Sequence, residues 1–135
     1  MKKFCFLFTI LFSTLIFTSN SNADWTYVGK NDSGDTYYVD LNSIKKTNQG
    51  YILFWELTNY LKRLKSNVLS SKIIYMLDCN LLRDKIMSDY YYDKRNAKGT
   101  IVSSSNKPDK NWDYAPPNSM QEFVSKFVCS KFAAK

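Results

Sequence analysis

Short runs of apolar and aromatic residues, separated by turn-forming residues, make up most of the chain beyond residue 24. Within these runs hydrophobic positions recur at every second residue, which is typical of β-strands because side chains alternate between the two faces of a sheet. The connections between the runs are short, and short connections favour antiparallel neighbours. We therefore predict six antiparallel strands, at residues 25–28, 36–40, 51–60, 70–78, 83–92 and 99–104.

The third run has the clearest alternation. One side of this strand carries two hydrophobic and two polar residues, Ile52, Phe54, Glu56 and Thr58. The other side carries three hydrophobic residues, Leu53, Trp55 and Leu57. Since polar side chains favour contact with water, we expect the side of Leu53 to face the core.

The hydrophobic period changes to that of an α-helix near the end of the chain. Ser119 and Glu122 have the spacing of a capping box, and the two prolines at 116–117 prevent an earlier start. The stripe that we expect to pack on the sheet consists of Met120, Phe123, Val124, Phe127 and Val128. The predicted fold class is therefore α+β, mostly β, with a C-terminal α-helix packed on a six-stranded antiparallel sheet.

The first 23 residues have the pattern of a secretory signal peptide. Lys2 and Lys3 precede an apolar stretch at 4–17, and small residues stand at the −3 and −1 positions of a cleavage site after Ala23. A membrane anchor is the alternative, but 14 helical residues reach about 21 Å against roughly 30 Å of bilayer hydrocarbon. Cys5 is not in the position of a lipoprotein cysteine. We expect an exported protein, periplasmic or secreted, with no transmembrane segment after processing.

The remaining residues, 24–135, have the length of one domain and are rich in aromatic and basic residues. Cleavage removes two lysines and no acidic residue, so the formal charge falls from +7 to +5, whereas all ten tyrosines and three tryptophans remain. A chain of 112 residues is the size of a single domain.

The absence of histidine excludes the commonest catalytic sites. The whole chain has none, so it lacks Ser-His and Cys-His nucleophile pairs and histidine metal ligands. Two carboxylate pairs, Asp32 with Asp35 and Asp89 with Asp93, lie in strand-flanking segments without the spacing of a calcium loop or a marked cleft. We expect neither catalysis nor a cofactor or metal.

Two cysteines, Cys79 and Cys129, remain after cleavage, and export to an oxidising compartment favours a disulfide between them. In the chain-entropy model, closing this 51-residue loop destabilises the unfolded state by about 4 kcal/mol. Free thiols or a redox pair are the alternative. Because Cys129 points away from the buried stripe of an ideal helix, either the helix ends near Val128 or Cys79 lies on a loop beside the helix. We prefer the first arrangement.

Basic residues and tyrosines supply the candidate partner-binding residues. These are Lys62, Arg63, Lys65, Tyr90, Tyr92, Lys94, Arg95 and Lys98. Cations steer acidic partners, such as a host glycoprotein, an anionic polysaccharide or lipid A phosphate, and tyrosine is common at recognition surfaces. The alternative is that the charges only keep loops soluble. Export argues against nucleic acid as a partner, and the two open edges of a sheet would allow a homodimer to form by edge pairing.

The order of the predicted elements resembles the surface-adhesin protein E family of small exported bacterial proteins. The matching pieces are 25–28, 36–40 with Ser43 and Ile44, 55–57 with Tyr60, 70–72, Tyr75, 78–79, Arg83, 90–92, Gly99, 116–117 with Ser119, and 128–129. Asn118 stands where the family usually has glycine, in Pro-Pro-Gly-Ser.

The resemblance implies a six-stranded antiparallel sheet with its helix tied down by the disulfide. It also implies an adhesin that binds host extracellular-matrix or plasma proteins, among them vitronectin, laminin and plasminogen. The founding type of the family is lipid-anchored, and this chain has no lipobox cysteine. A soluble periplasmic protein, with a structural or envelope-interaction role, is therefore the alternative function.

Overall fold

A computed structural model describes residues 23–134. Residues 1–22 of the predicted signal peptide lie outside the described residues. Eight strands and one α-helix occupy the described part of the chain. The strands are β1 (Trp25–Lys30), β2 (Thr36–Asp40), β3 (Lys45–Lys46), β4 (Ile52–Asn59), β5 (Ser70–Asp78), β6 (Arg83–Tyr92), β7 (Ile101–Ser105) and β8 (Asp113–Tyr114). The helix α1 spans Met120–Ala133.

The strands form one antiparallel sheet in the order β1-β2-β4-β5-β6-β7. This confirms the predicted six-stranded sheet, although the sixth strand begins at Ile101 rather than at residue 99. Two strands of two residues each, β3 and β8, pair with β4 and β6. They were not predicted, since two residues are too few to reveal a hydrophobic period.

The core lies on the face of the sheet that the helix covers, and the prediction for β4 was wrong. Ile52 and Phe54 are buried beneath the helix together with Val39 and Leu77, whereas Leu53 and Trp55 are only half-buried on the other face. Glu56 and Thr58 are buried on the core face despite their polarity, and the Thr58 hydroxyl donates a hydrogen bond to the Glu56 carboxyl group, which lines a cleft. The face of the sheet without the helix is called the open face below.

The predicted capping box begins the helix. The Ser119 hydroxyl accepts a hydrogen bond from the Glu122 backbone N–H at 3.1 Å, and the Glu122 carboxylate accepts one from the Asn118 N–H at 2.7 Å. Asn118 has φ of +63°, a left-handed conformation that glycine adopts freely and asparagine tolerates.

Two expectations for the helix were wrong. Phe123 belongs to the predicted buried stripe, yet it is 55% exposed because the helix lies over the β1 edge of the sheet, where Phe123 packs beside Gly29. The helix also continues past Val128 to Ala133. Cys129 therefore bonds to Cys79 from within the helix, with 5.9 Å between the Cα atoms, because Cys79 lies in the turn that follows β5.

Candidate functional site

The structure brings the two basic clusters of the sequence together at one end of the sheet. The segment 60–69 joins β4 to β5, and the segment 93–100 joins β6 to β7, so the strand order places both at the same end. One Arg95 guanidinium nitrogen donates to the backbone carbonyls of Tyr60 and Leu61, at 3.2 and 2.9 Å. In the opposite direction, Arg63 donates to the carbonyl of Asp93 at 3.0 Å.

Side chains at the base of these two segments hold them together. The Asn59 side-chain amide donates to Asn96 Oδ1 at 2.8 Å, and Asn59 Oδ1 accepts a hydrogen bond from the Asn96 backbone N–H at 2.7 Å. The fully buried Ser70 hydroxyl donates to the Lys94 carbonyl and accepts from the Ala97 N–H. These hydrogen bonds therefore hold the two segments together as one surface, although neither segment is a β-strand.

We call the resulting surface the basic end, which consists of Lys62, Arg63, Lys65, Lys94, Arg95 and Lys98. All six side chains are exposed. Within residues 23–134 the ion pairs are Arg83 with Asp78 and Lys126 with Glu122, so none of the six cations pairs with a carboxylate there. Their charge is therefore available to an external partner.

The two candidate tyrosines lie on the open face of β6, next to the basic end. Register pairs Tyr90 with Lys72 and Tyr92 with Ser70, whereas Tyr91 pairs with Ser71 and points to the helix face, as the strand alternation predicted. All three tyrosines are half-buried. The Tyr90 hydroxyl donates to the Asn106 side chain at 2.7 Å.

Two tryptophans and a lysine continue this surface across the sheet. Lys72 Nζ lies 4.4 Å from the ring centroid of Trp55 and 6.0 Å from that of Trp25, and the Trp55 and Tyr90 rings are 6.1 Å apart. Sequence reasoning missed these three residues because it placed Trp55 in the core. The alternation assigns residues of one strand to two faces, but it does not say which face the helix covers.

Burial raises the pKa of two tyrosines near the basic end, Tyr60 and Tyr92. It raises the pKa of Tyr92 above its ordinary value, and the nearby Tyr90 adds to the effect. The pKa of Tyr60 is also raised, mainly by burial, despite a hydrogen bond between its hydroxyl and that of Ser71. At neutral pH both side chains therefore keep their hydroxyl protons and can donate hydrogen bonds.

One member of each carboxylate pair noted in the sequence, Asp35 and Asp93, accepts hydrogen bonds that hold a loop in place. Asp35 accepts hydrogen bonds from the Leu61 N–H and the Asn31 side chain, and Asp93 accepts one from the Thr100 N–H. Across residues 23–134, histidine, cysteine and acidic side chains form no group of three that could hold a metal ion. Over the same range, no helix has both the length and the apolar character needed to span a bilayer.

Comparison with known proteins gives one family and several similar folds. The family model described as surface-adhesin protein E matches residues 25–130, and no curated protein sequence matches. Among solved structures, crystal form II of Haemophilus influenzae protein E is 20% identical, with a TM-score of 0.65 over 83% of this chain and 91% of that chain.

Two further structures give the same result. Another structure of Haemophilus influenzae protein E is 19% identical, with a TM-score of 0.63 over 84% of this chain and 89% of that chain. Protein E from non-typeable Haemophilus influenzae is 18% identical, with a TM-score of 0.61 over 86% and 82%. At these identities, the structural similarity establishes a shared fold.

Proposed function

The chain belongs to the surface-adhesin protein E family, and we propose that it is an exported, non-catalytic binding protein that contacts acidic host extracellular-matrix or plasma proteins through its basic end. Tyr90 and Tyr92, at the adjoining part of the open face, form the second part of the proposed contact surface. Anionic envelope components offer the same chemistry and are the alternative partners.

The joining of two separate basic segments into one surface is the observation that supports this proposal. Arg63 and Arg95 use their guanidinium groups to hold the segments together, and the four lysines between and beside them remain without carboxylate partners in the described chain. Several unpaired cations on a supported surface attract an acidic partner and speed its association.

Surface plasmon resonance on immobilised vitronectin and laminin tests the proposal. We expect binding by the wild-type protein that weakens between 50 and 300 mM NaCl, since salt screens charges over about 10 Å at 0.1 M. Replacing Lys62, Lys65, Lys94 and Lys98 together with alanine should weaken binding by about tenfold or more. The two arginines are left intact because their replacement would separate the segments.

A charge-matched variant controls for the loss of four positive charges. It replaces four exposed lysines away from the basic end, Lys45, Lys46, Lys107 and Lys110. Binding by this variant should remain close to wild type. Equal weakening of both variants, or no binding by the wild-type protein at 50 mM NaCl, would contradict the proposed site.

Antibody labelling of intact and permeabilised cells distinguishes the adhesin from the soluble periplasmic alternative. Antibody against the protein should label intact cells if the protein acts as an adhesin. Labelling only after permeabilisation of the outer membrane would favour the soluble periplasmic role, in which the basic end would meet anionic envelope components. The two outcomes differ because location decides which partners the protein can reach.

A further inference from the structure

A cleft lined by acidic residues, in contrast to the cationic basic end, lies between the helix and the sheet. It is a cleft of about 410 Å³, within the range of small-molecule sites. Its floor comes from β2, β4, β5 and β6, one wall from α1, and its outer lip from β8 and the exposed Pro116. Neither the sequence patterns nor the proposed adhesin function account for this cleft, which we call the acidic cleft.

Glu56 lies at the floor of the acidic cleft with half of its carboxyl group unsatisfied. The side chain is buried, with 7% exposure, and Thr58 donates to Oε1 at 3.2 Å. Oε2 has no partner among residues 23–134, yet no fully enclosed polar atom in that range lacks a hydrogen bond. Oε2 must therefore reach the space of the cleft.

Two other polar groups face the same space. Asp84, which is 5% exposed, accepts two hydrogen bonds from the Gln121 side-chain amide at 2.9 and 2.8 Å. The Tyr75 hydroxyl has no hydrogen-bond partner in the described chain, and its ring stacks on Phe54 with 5.7 Å between centroids. Within residues 23–134 the lining includes Asp113 as a third carboxyl, but no lysine or arginine.

This combination of groups matches the chemistry of an organic cation. Carboxylates bind ammonium and guanidinium groups by charge-assisted hydrogen bonds, and aromatic faces attract them as well. The carboxyls do not converge on a metal position, as the described residues contain no metal-binding group. An extended cation with alkyl carbons fits the mixture of acidic and aromatic walls better than a divalent ion does.

We propose that the acidic cleft binds one small organic cation, an alkylammonium or guanidinium group, with Glu56 as its main partner and Asp84 as its second. The group belongs either to a free amine or to the end of an arginine side chain. The Tyr75 hydroxyl accepts a further hydrogen bond from it, while the rings of Tyr75 and Phe54 contact its carbons.

Titration followed by ¹H–¹⁵N NMR tests the proposal on the exported protein, purified after expression of the full chain. The probes are putrescine, for a free amine, and N-acetylarginine amide, for a protein side chain. The neutral control is 1,4-butanediol, which has the same chain length as putrescine. We expect saturable shifts of the Glu56, Asp84 and Ser125 amides with at least one cation, and none with the diol.

Glu56→Gln should weaken binding by about tenfold or more, because an amide cannot form the charge-assisted bond. The matched control is Asp109→Asn, which removes one negative charge at an exposed position outside the cleft. Its affinity should equal that of the wild-type protein. Unchanged amide positions far from the cleft will show that Glu56→Gln has folded.

Binding should also strengthen from pH 6 to pH 8. Burial raises the pKa of Glu56 from 4.5 to about 7, so its carboxylate becomes fully available only above neutrality. The other titratable groups that face the cleft, from β2, β5, β6 and β8, are Tyr37, Tyr75, Asp84, Asp113 and Tyr114. Burial is the largest cause of the raised pKa values of Tyr37 and Tyr75, and both hydroxyl groups are neutral between pH 6 and pH 8.

Each outcome of these titrations either supports or overturns the proposed cation site. Tighter binding of putrescine points to a free amine and tighter binding of N-acetylarginine amide to a partner's side chain, and either supports the site. Absence of saturation with both cations, equal binding of the diol, or an unchanged affinity in Glu56→Gln would overturn it. Because the basic end plays no part in this assay, failure here leaves the proposed adhesin function standing.

Discussion

At the scale of single residues, Glu56 is a buried acidic group whose pKa is raised from 4.5 to about 7. It lies on the core face of β4, and burial is the largest cause of its raised pKa, with the nearby Asp84 adding to the effect and Thr58 opposing it. A buried carboxyl group of this kind favours its protonated form. An unsatisfied acidic group on the core face usually indicates function rather than packing, in keeping with the proposed cation site.

The stability of the protein should therefore fall as pH rises from about 5 to 7. In this window the unfolded chain releases the Glu56 proton while the folded chain keeps it, so the folded state loses stability as pH rises. The shift in pKa from 4.5 to about 7 corresponds to roughly 3 kcal/mol at most. Chemical denaturation of wild type and Glu56→Gln at pH 5 and pH 8 measures this loss, which the variant should lack.

The charge-matched variant Asp109→Asn belongs in the same experiment, and its pH dependence should follow that of the wild-type protein. Parallel curves for wild type and Glu56→Gln would contradict the raised pKa. Because these measurements are made without any added amine, they are independent of the proposed ligand.

At the scale of elements, the helix is held to the sheet by packing at its middle and by covalent bonding near its end. Val124 and Val128 are buried against Val39 and Leu77 in the core. The disulfide then ties the last turns of the helix to the turn after β5. Because that turn lies beside the helix, the helix keeps its regular geometry through Cys129 and needs no frayed end.

Replacing both Cys79 and Cys129 with alanine should destabilise the protein by about 2 to 5 kcal/mol, the usual range for a native bridge in a small secreted domain. The double replacement avoids a free thiol. Thermal unfolding measures the loss, with the reduced wild-type protein as the control. A melting temperature equal to that of the oxidised wild type would show that the bridge contributes nothing to stability.

At the scale of the whole molecule, the hydrogen bonds at the beginning of the described residues, 23–134, include two that involve Asp24, the predicted first residue of the exported chain. The Asp24 backbone nitrogen donates to Asp40 Oδ1 at 3.0 Å, and the Asp24 carbonyl accepts from the Leu41 N–H at 3.2 Å. Cleavage after Ala23 would turn that nitrogen into an ammonium group. Its hydrogen bond to the Asp40 carboxylate would then be charge-assisted and stronger.

We therefore expect the exported protein to begin at Asp24, as N-terminal sequencing or intact mass will show. Asp40→Asn should destabilise this form by about 1.5 to 3 kcal/mol, the range for hydrogen bonds that involve charged groups. A form that retains Ala23 should lose less, since its Asp24 nitrogen is an uncharged amide. Equal losses in the two forms would argue against a terminal ammonium at this position.

Much of this architecture follows from local patterns in the sequence. Alternation in the strand runs gives the six long strands, and Ser119 with Glu122 gives the first turn of the helix. The pairing of Cys79 with Cys129 follows from their being the two cysteines beyond the predicted signal peptide. Each of these features depends on residues close in sequence or on simple counting, so local chemistry is sufficient to predict it.

Only the tertiary structure decided which face of the sheet became the core and which distant loops met. Leu53 and Trp55 are more hydrophobic than Glu56 and Thr58, yet the helix covers the opposite face, because its position depends on all the neighbouring strands at once. The basic end and the acidic cleft arise in the same way, because strand pairing and helix packing bring together residues that are distant in sequence, from Lys62 to Lys98 in the basic end and from Tyr37 to Ser125 in the acidic cleft. The sequence by itself determined the six long strands, the start of the helix and the disulfide, because these depend on local patterns and on the number of cysteines. Long-range packing determined both surfaces that we propose to bind partners.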